Sequence, residues 1–270
     1  MGSNTAVVFS CAHSDPDVSN ERFTWLGRWL YDLKPDYVVD LGDGADMRSL
    51  NSFDGRKPQA VVSQSYERDI NHYNDAMERM RHEFVKNKRK RPAYYGFEGN
   101  HEHRIKTAIS FDPRLEGDKY GISFKHLNTN KWFDEYHEYE NGDPKVHRYD
   151  GVDFAHFITG GNMGRPVSGV HHAYALVQNR YNSCVVGHTH KRDVYFRDGV
   201  AGKAAIGLVA GPIRVPRRAG QGKPTSHGGK AAWYYTTSKM VISNPSLSTY
   251  RHLAESMEGV DDELDKMWDV

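Results

Sequence analysis

Cysteine is scarce and long apolar runs are missing. Two cysteines, Cys11 and Cys184, occur in 270 residues. That is far below the density of a small disulfide-stapled domain, and both are read as free thiols. No apolar stretch reaches the roughly 18 residues a transmembrane helix needs. The first residues lack a basic stretch followed by an apolar core, so no signal peptide is expected and the reading is cytoplasmic, with no membrane partner. An excess of one charge is also lacking. Thirty-six Lys and Arg meet 35 Asp and Glu, a net charge of +1, so no global field announces nucleic acid or a membrane surface. Aromatics, by contrast, make up 12% of the chain and apolar residues 38%. That argues against wholesale disorder and for one sizeable core. One domain is expected over 1–250, with an irregular insertion at 112–142 and an acidic tail at 251–270.

Along the chain, apolar runs end abruptly at polar residues. A β-branched run at 5–10 (TAVVFS) reads as a buried strand and stops at Cys11-Ala12-His13. A helix is expected at 21–33, with Phe23, Leu26, Leu30 and Leu33 on one face. A second strand at 37–41 stops at Gly42-Asp43-Gly44. A long charged helix is expected over 66–90, and a strand at 92–98 delivers Gly99-Asn100-His101-Glu102 into a helix over 101–109. A hairpin at 145–158 turns at Asp150-Gly151 and carries His156. A helix at 171–181 leads into a strand at 182–186, which ends at Gly187-His188-Thr189-His190. Further strands are expected near 192–197, 203–210 and 232–243.

Five separated segments thus bring metal-ligand side chains to strand ends, the way an α/β protein assembles a site from distant parts of its chain. Two divalent ions held together need a bridging carboxylate, and the short side chain of Asp43 between two glycines suits that role. In two-metal hydrolysis the ions lie about 3.5–4 Å apart, activate water and stabilise phosphoryl charge. His188 and His190 differ by two residues and share a direction in extended chain. Asn100 offers an amide oxygen. Its neighbour His101 points elsewhere and is the candidate general acid for the leaving oxygen.

The order Cys-x-His, Gly-Asp, Gly-Asn-His-Glu, a lone strand His and Gly-His-Thr-His resembles the calcineurin-like metallophosphoesterase superfamily over residues 11–190. The resemblance implies an α/β fold, a four-layer α/β/β/α sandwich of two mixed sheets. It also implies a binuclear centre, with one metal on Cys11, His13, Asp43 and His190 and the other on Asp43, Asn100, His156 and His188. His101 would protonate the leaving group, and Asp46, as in the phosphoprotein-phosphatase branch, would orient it. Arg48 and Arg165 are the candidate phosphate-binding residues. The family usually has Asp where this chain has Cys11; lariat-debranching enzymes are the branch with Cys there. A thiolate is softer than a carboxylate and moves the expected metals toward zinc or iron, with manganese and nickel also in view. The implied activity is phosphoester hydrolysis, most of all of a phosphodiester in a nucleotide or nucleic acid. The alternatives are a phosphomonoesterase or protein phosphatase, and a scaffold that binds metal weakly. The stretch 156–172 resembles bacteriophage-encoded metallophosphoesterases, which would place the protein in a host cytoplasm. The oligomeric state is not legible.

The remaining readings are bland. His72, His82, His103, His126, His137, His147, His227 and His252 follow no ligand spacing and read mostly as exposed side chains. The basic run 86–91 reads as the solvated end of a helix. Arg214, Arg217 and Arg218 form a second basic patch, beside a Gly-rich loop at 220–229. Aromatics at 132–139 are expected to pack over the core, with base stacking as the sharper alternative.

Overall fold

A computed structural model describes residues 4–51, 64–161, 164–198 and 204–213, and the backbone of 238–242. The patch at Arg214, Arg217 and Arg218, the Gly-rich loop and the acidic tail lie outside the described residues.

The apolar runs form two five-stranded mixed sheets. In the first, β1 (Asn4–Phe9), β2 (Tyr37–Asp40), β3 (Ala93–Phe97) and β4 (Glu135–His137) run parallel, and β12 (Ser238–Ile242) pairs antiparallel with β1. In the second, β6 (Val152–Ala155), β9 (Cys184–Val186) and β11 (Ala205–Val209) are parallel. Antiparallel β5 (His147–Tyr149) and β10 (Asp193–Arg197) close its two edges. A two-stranded hairpin, β7 (Thr159–Gly160) with β8 (Arg165–Pro166), lies beyond β6.

Strand alternation sorts the side chains. Val7, Phe9 and Val38 join the apolar faces of α1 (Glu21–Leu33) and α2 (Tyr66–Lys86) in one core. Ala6, Val8, Tyr37 and Val39 instead join Phe154, Val185 and Leu208 of the other sheet in a second core. Cys184, Val186 and Val209 face Ala173 and Leu176 of α5 (His172–Arg180) in a third. The central strands are covered on both faces, which is why they read as continuous apolar runs.

Helices α1 and α2 touch backbone to backbone. A Cβ on Gly27 would overlap the Met80 carbonyl oxygen, so only glycine fits there. Helix α2 ends at Lys86, four residues before the expected end: Asn87 caps it and Lys88 turns into the left-handed region. The stretch at 112–142 is not wholly irregular. It holds the short α4 (Thr129–Trp132) and β4, which pairs with β3. A three-residue edge strand has too little alternation to be seen in sequence; its partner defines it. Trp132 and Phe133 are buried in the first core, as expected for aromatics that pack rather than stack on bases. No helix among the described residues is long and apolar enough to cross a membrane.

Candidate metal centre

The sequence-selected residues gather where the strands end. Cys11 and His13 follow β1, Asp43 follows β2, and Asn100 opens α3 (Asn100–Phe111) just after β3. His156 follows β6, and His188 and His190 follow β9. Tight turns aim these side chains. Cys11, His13, Asp43, His188 and His190 all have left-handed backbones, with φ between 44° and 66°. Non-glycine residues adopt that region at a cost, and such strain collects at functional sites. Hydrogen bonds hold the turns. The amide N–H groups of Cys11 and His13 donate to the Gly42 and Asp43 carbonyls. Gly99 sits so close to Asp43 that a Cβ there would overlap the Asp43 nitrogen.

Two groups of donors share Asp43. Ligand atoms of Cys11, His13, Asp43 and His190 lie within 4.8 Å of one another, as do those of Asp43, His156 and His188. In the first group, His13 Nε2 and His190 Nε2 stand 2.8 Å apart, and Cys11 Sγ is 4.0 Å from Asp43 Oδ2. In the second, His156 Nε2 lies 3.0 Å from Asn100 Oδ1 and 3.3 Å from Asp43 Oδ2. His188 Nδ1 is 2.8 Å from the same Asn100 oxygen.

The donor chemistry tests whether a cation fits. His156 Nδ1 lies 2.7 Å from the Leu41 carbonyl, which can only accept, so Nδ1 carries the hydrogen. In the neutral ring, the Nε2 lone pair then faces two oxygen acceptors. Lone pairs converging at hydrogen-bond distance repel unless a cation lies among them. A ring nitrogen tied to a backbone carbonyl is also how ligating histidines are usually oriented. The residues could therefore hold metal, in two groups that share Asp43.

Without an ion, burial disfavours the His156 imidazolium but Asp43 outweighs it and raises the pKa, so Nε2 holds a proton toward Asp43; a bound cation would take that proton's place. Burial, then its neighbour His156, pushes His188 down to about 4, which keeps its ring neutral. Burial also lowers His13. Burial, then the Asp43 charge, holds the Cys11 thiol well above its ordinary value. Only a nearby cation makes a thiolate there favourable. Burial opposes ionisation of Asp43, but His156 and His101 outweigh it and hold the carboxyl well below its usual range.

No family model matches this chain, and no curated protein does. Several solved structures are similar, among them two named here. One is a conserved uncharacterized protein of Streptococcus pneumoniae TIGR4, a predicted phosphoesterase. It is 13% identical, covers 81% of this chain and 78% of its own, and has a TM-score of 0.32. The other, from Thermus thermophilus, is 9% identical, covers 78% of this chain and 90% of its own, and has a TM-score of 0.33. The functional reading rests on the side-chain geometry.

The residues around the donors are equally ordered. His101 Nδ1 donates to the Asp46 carbonyl at 2.7 Å, and Asp46 Oδ1 lies 3.2 Å from the same nitrogen. Asp46 Oδ1 also accepts from His13 Nδ1 at 3.0 Å, so one carboxylate orients both rings. Burial disfavours the His101 imidazolium, yet Asp43 and Asp46 outweigh it and raise its pKa. Arg48 turns away, to Asp17 at 3.0 Å and Asp15 at 3.6 Å. Arg165 is exposed on β8.

Three residues had no role assigned from the sequence. Arg104 shares a helix face with His101 at i+3, and its Nη2 lies 3.2 Å from His101 Nε2. Its Nη1 donates to the Asp46 and Met47 carbonyls. Helical spacing from His101 was the available signal. Glu102 accepts from the backbone N–H groups of Asp43, Ala45 and Gly99, locking the second and third strand ends together. Arg22 reaches from α1 to the carbonyls of Ala12 and His13, both at 2.9 Å.

Proposed function

We propose that this chain is a phosphoesterase dependent on two divalent metal ions. Cys11, His13, Asp43 and His190 would hold one, and Asp43, Asn100, His156 and His188 the other. The observation that carries this reading is the convergence of lone pairs from five strand ends on a carboxylate common to both groups. When bound, such ions supply Lewis acidity, activating water and neutralising charge on phosphoryl oxygens. Within the same reading, the two sheets and their helices form a four-layer α/β/β/α sandwich in one domain.

The chain's own residues do the rest. His101, fixed through Nδ1 by Asp46, presents Nε2 as the atom from which a proton reaches the leaving oxygen. Arg104 points its guanidinium to the same place, so a phosphoryl oxygen between the two would accept from both. Asp46 holds His101 and His13 in their tautomers. Arg48 and Arg165 are kept as candidate phosphate-binding residues. We read the substrate as a phosphodiester in a nucleotide or nucleic acid, on the likeness of Cys11 to the cysteine that lariat-debranching enzymes have at this position.

The test is metal content by mass spectrometry on protein purified without added metal. It is paired with hydrolysis of bis-p-nitrophenyl phosphate and p-nitrophenyl phosphate across manganese, iron, zinc, nickel and magnesium. About two ions per chain with faster diester hydrolysis is the expected result. Faster monoester hydrolysis would overturn the diester assignment. No bound metal and no activity would overturn the enzyme reading.

A further inference from the structure

Glu135, His137 and His147 meet away from the centre just described. Their ligand atoms all lie within 4.8 Å of one another. Glu135 and His137 belong to β4, an edge of the first sheet, and His147 to β5, an edge of the second. β4 and β5 are not paired as strands; they stand side by side because the two sheets pack face to face. The rings of His137 and His147 stack with centroids 4.2 Å apart and planes 18° apart. The Tyr149 hydroxyl lies between the strands, donating to Glu135 Oε2 at 3.0 Å and lying 2.6 Å from His137 Nε2. His147 meets its neighbours by ring stacking, and neither of its ring nitrogens takes a hydrogen bond among the described residues.

We propose that Glu135, His137 and His147 form a separate zinc-class metal site that clips the edge of one sheet to the edge of the other. Two imidazoles and one carboxylate are a donor set that zinc accepts, with a fourth position left for water or the Tyr149 oxygen. Ligand atoms around a tetrahedral zinc stand about 3.3 Å apart, given bonds of about 2.0–2.1 Å. His137 Nε2 and Glu135 Oε2 are already 3.8 Å apart; the stacked rings must tilt out of parallel for their lone pairs to meet on one ion. The Glu135 side chain is 52% exposed, which leaves a path for the ion. Magnesium and calcium, which prefer all-oxygen shells, do not suit this set.

The site lies outside the proposed catalytic machinery and does not depend on it. The experiment strips the full chain with a chelator, equilibrates it with zinc and counts bound zinc by mass spectrometry. The His147→Gln variant is treated in parallel. Wild type is expected to retain one zinc per chain more than the variant, whatever number the other centre holds, with phosphoester hydrolysis unchanged. Equal zinc counts overturn the proposal. A second readout needs no substitution: diethyl pyrocarbonate labelling of wild type with and without zinc, mapped to His137 and His147. Protection of both by zinc is expected; equal labelling overturns the site. Saturating zinc should also raise the Tm of wild type above that of the variant by about 5 °C.

Discussion

His101 has a fixed address, with each ring nitrogen beside a named partner. Nδ1 is committed to the Asp46 carbonyl, and Nε2 faces Arg104. Replacing His101 with Asn should leave bound metal unchanged and lower kcat by about 10²- to 10⁴-fold, the usual range for a lost general acid. Steady-state kinetics beside metal counting checks this, and a full rate would remove His101 from the acid role. Arg104→Ala tests a different property. If its guanidinium holds phosphate in ground and transition state alike, KM rises while kcat changes little. A fall in kcat alone would assign it to the transition state instead. In the proposed centre Cys11 would set metal choice: Cys11→Asp should move the activity maximum from zinc or iron toward manganese or magnesium, because a hard oxygen replaces a soft sulfur. An unaltered metal profile would show that Cys11 does not ligate.

Single elements matter where they approach most closely. Helices α1 and α2 meet at Gly27, against the backbone of Met80. The neighbour there is main chain and cannot swing aside. Gly27→Val should therefore cost about 2–3 kcal/mol as overpacking. That corresponds to a Tm fall of about 4–10 °C, measured by calorimetry. A variant as stable as wild type would mean that the helices slide apart freely. Loss of the α1 position would also displace Arg22 from the carbonyls of Ala12 and His13, so metal affinity should fall with stability. The elements were legible because their signals are local. The apolar face of α1 and the β-branched runs of β1 and β2 can be read from a few neighbouring residues. Strand β4 and the β7–β8 hairpin were not legible, since two- and three-residue strands carry no period and exist through their partners.

Across the whole molecule, near-zero net charge includes buried carboxylates held by arginines within the fold. Asp153 on β6 is an example. Its side chain is 2% exposed and accepts from Arg148 on β5 at 2.7 Å and from Arg180 on α5 at 3.1 Å. Burial raises its pKa, but the two arginines outweigh burial and the net shift is downward. A carboxyl depressed in the folded state contributes stability above its unfolded pKa of about 3.9, and loses it as pH falls through the folded value. Urea denaturation of wild type and Asp153→Asn should show the largest difference at pH 7. The gap should narrow steadily below about pH 4. A gap independent of pH would show that the pair contributes packing rather than charge.

The sequence by itself determined which residues would stand at strand ends. An apolar run that stops at Cys11, Asp43, Asn100, His156 or His188 is a local signal, and a strand delivers its last side chain wherever the sheet puts that end. It also marked the glycines that let the turns form. Tertiary structure decided everything that depends on two segments meeting. It placed Asp46 between His13 and His101, turned Arg48 toward Asp15 and Asp17, and seated Arg104 on the Asp46 and Met47 carbonyls. It also brought His137 and His147 from two sheet edges into one stack, although neither follows a ligand spacing in the chain. Spacing reports only neighbours along the chain, whereas a contact between sheet edges is set by the packing of both sheets, to which many distant residues contribute.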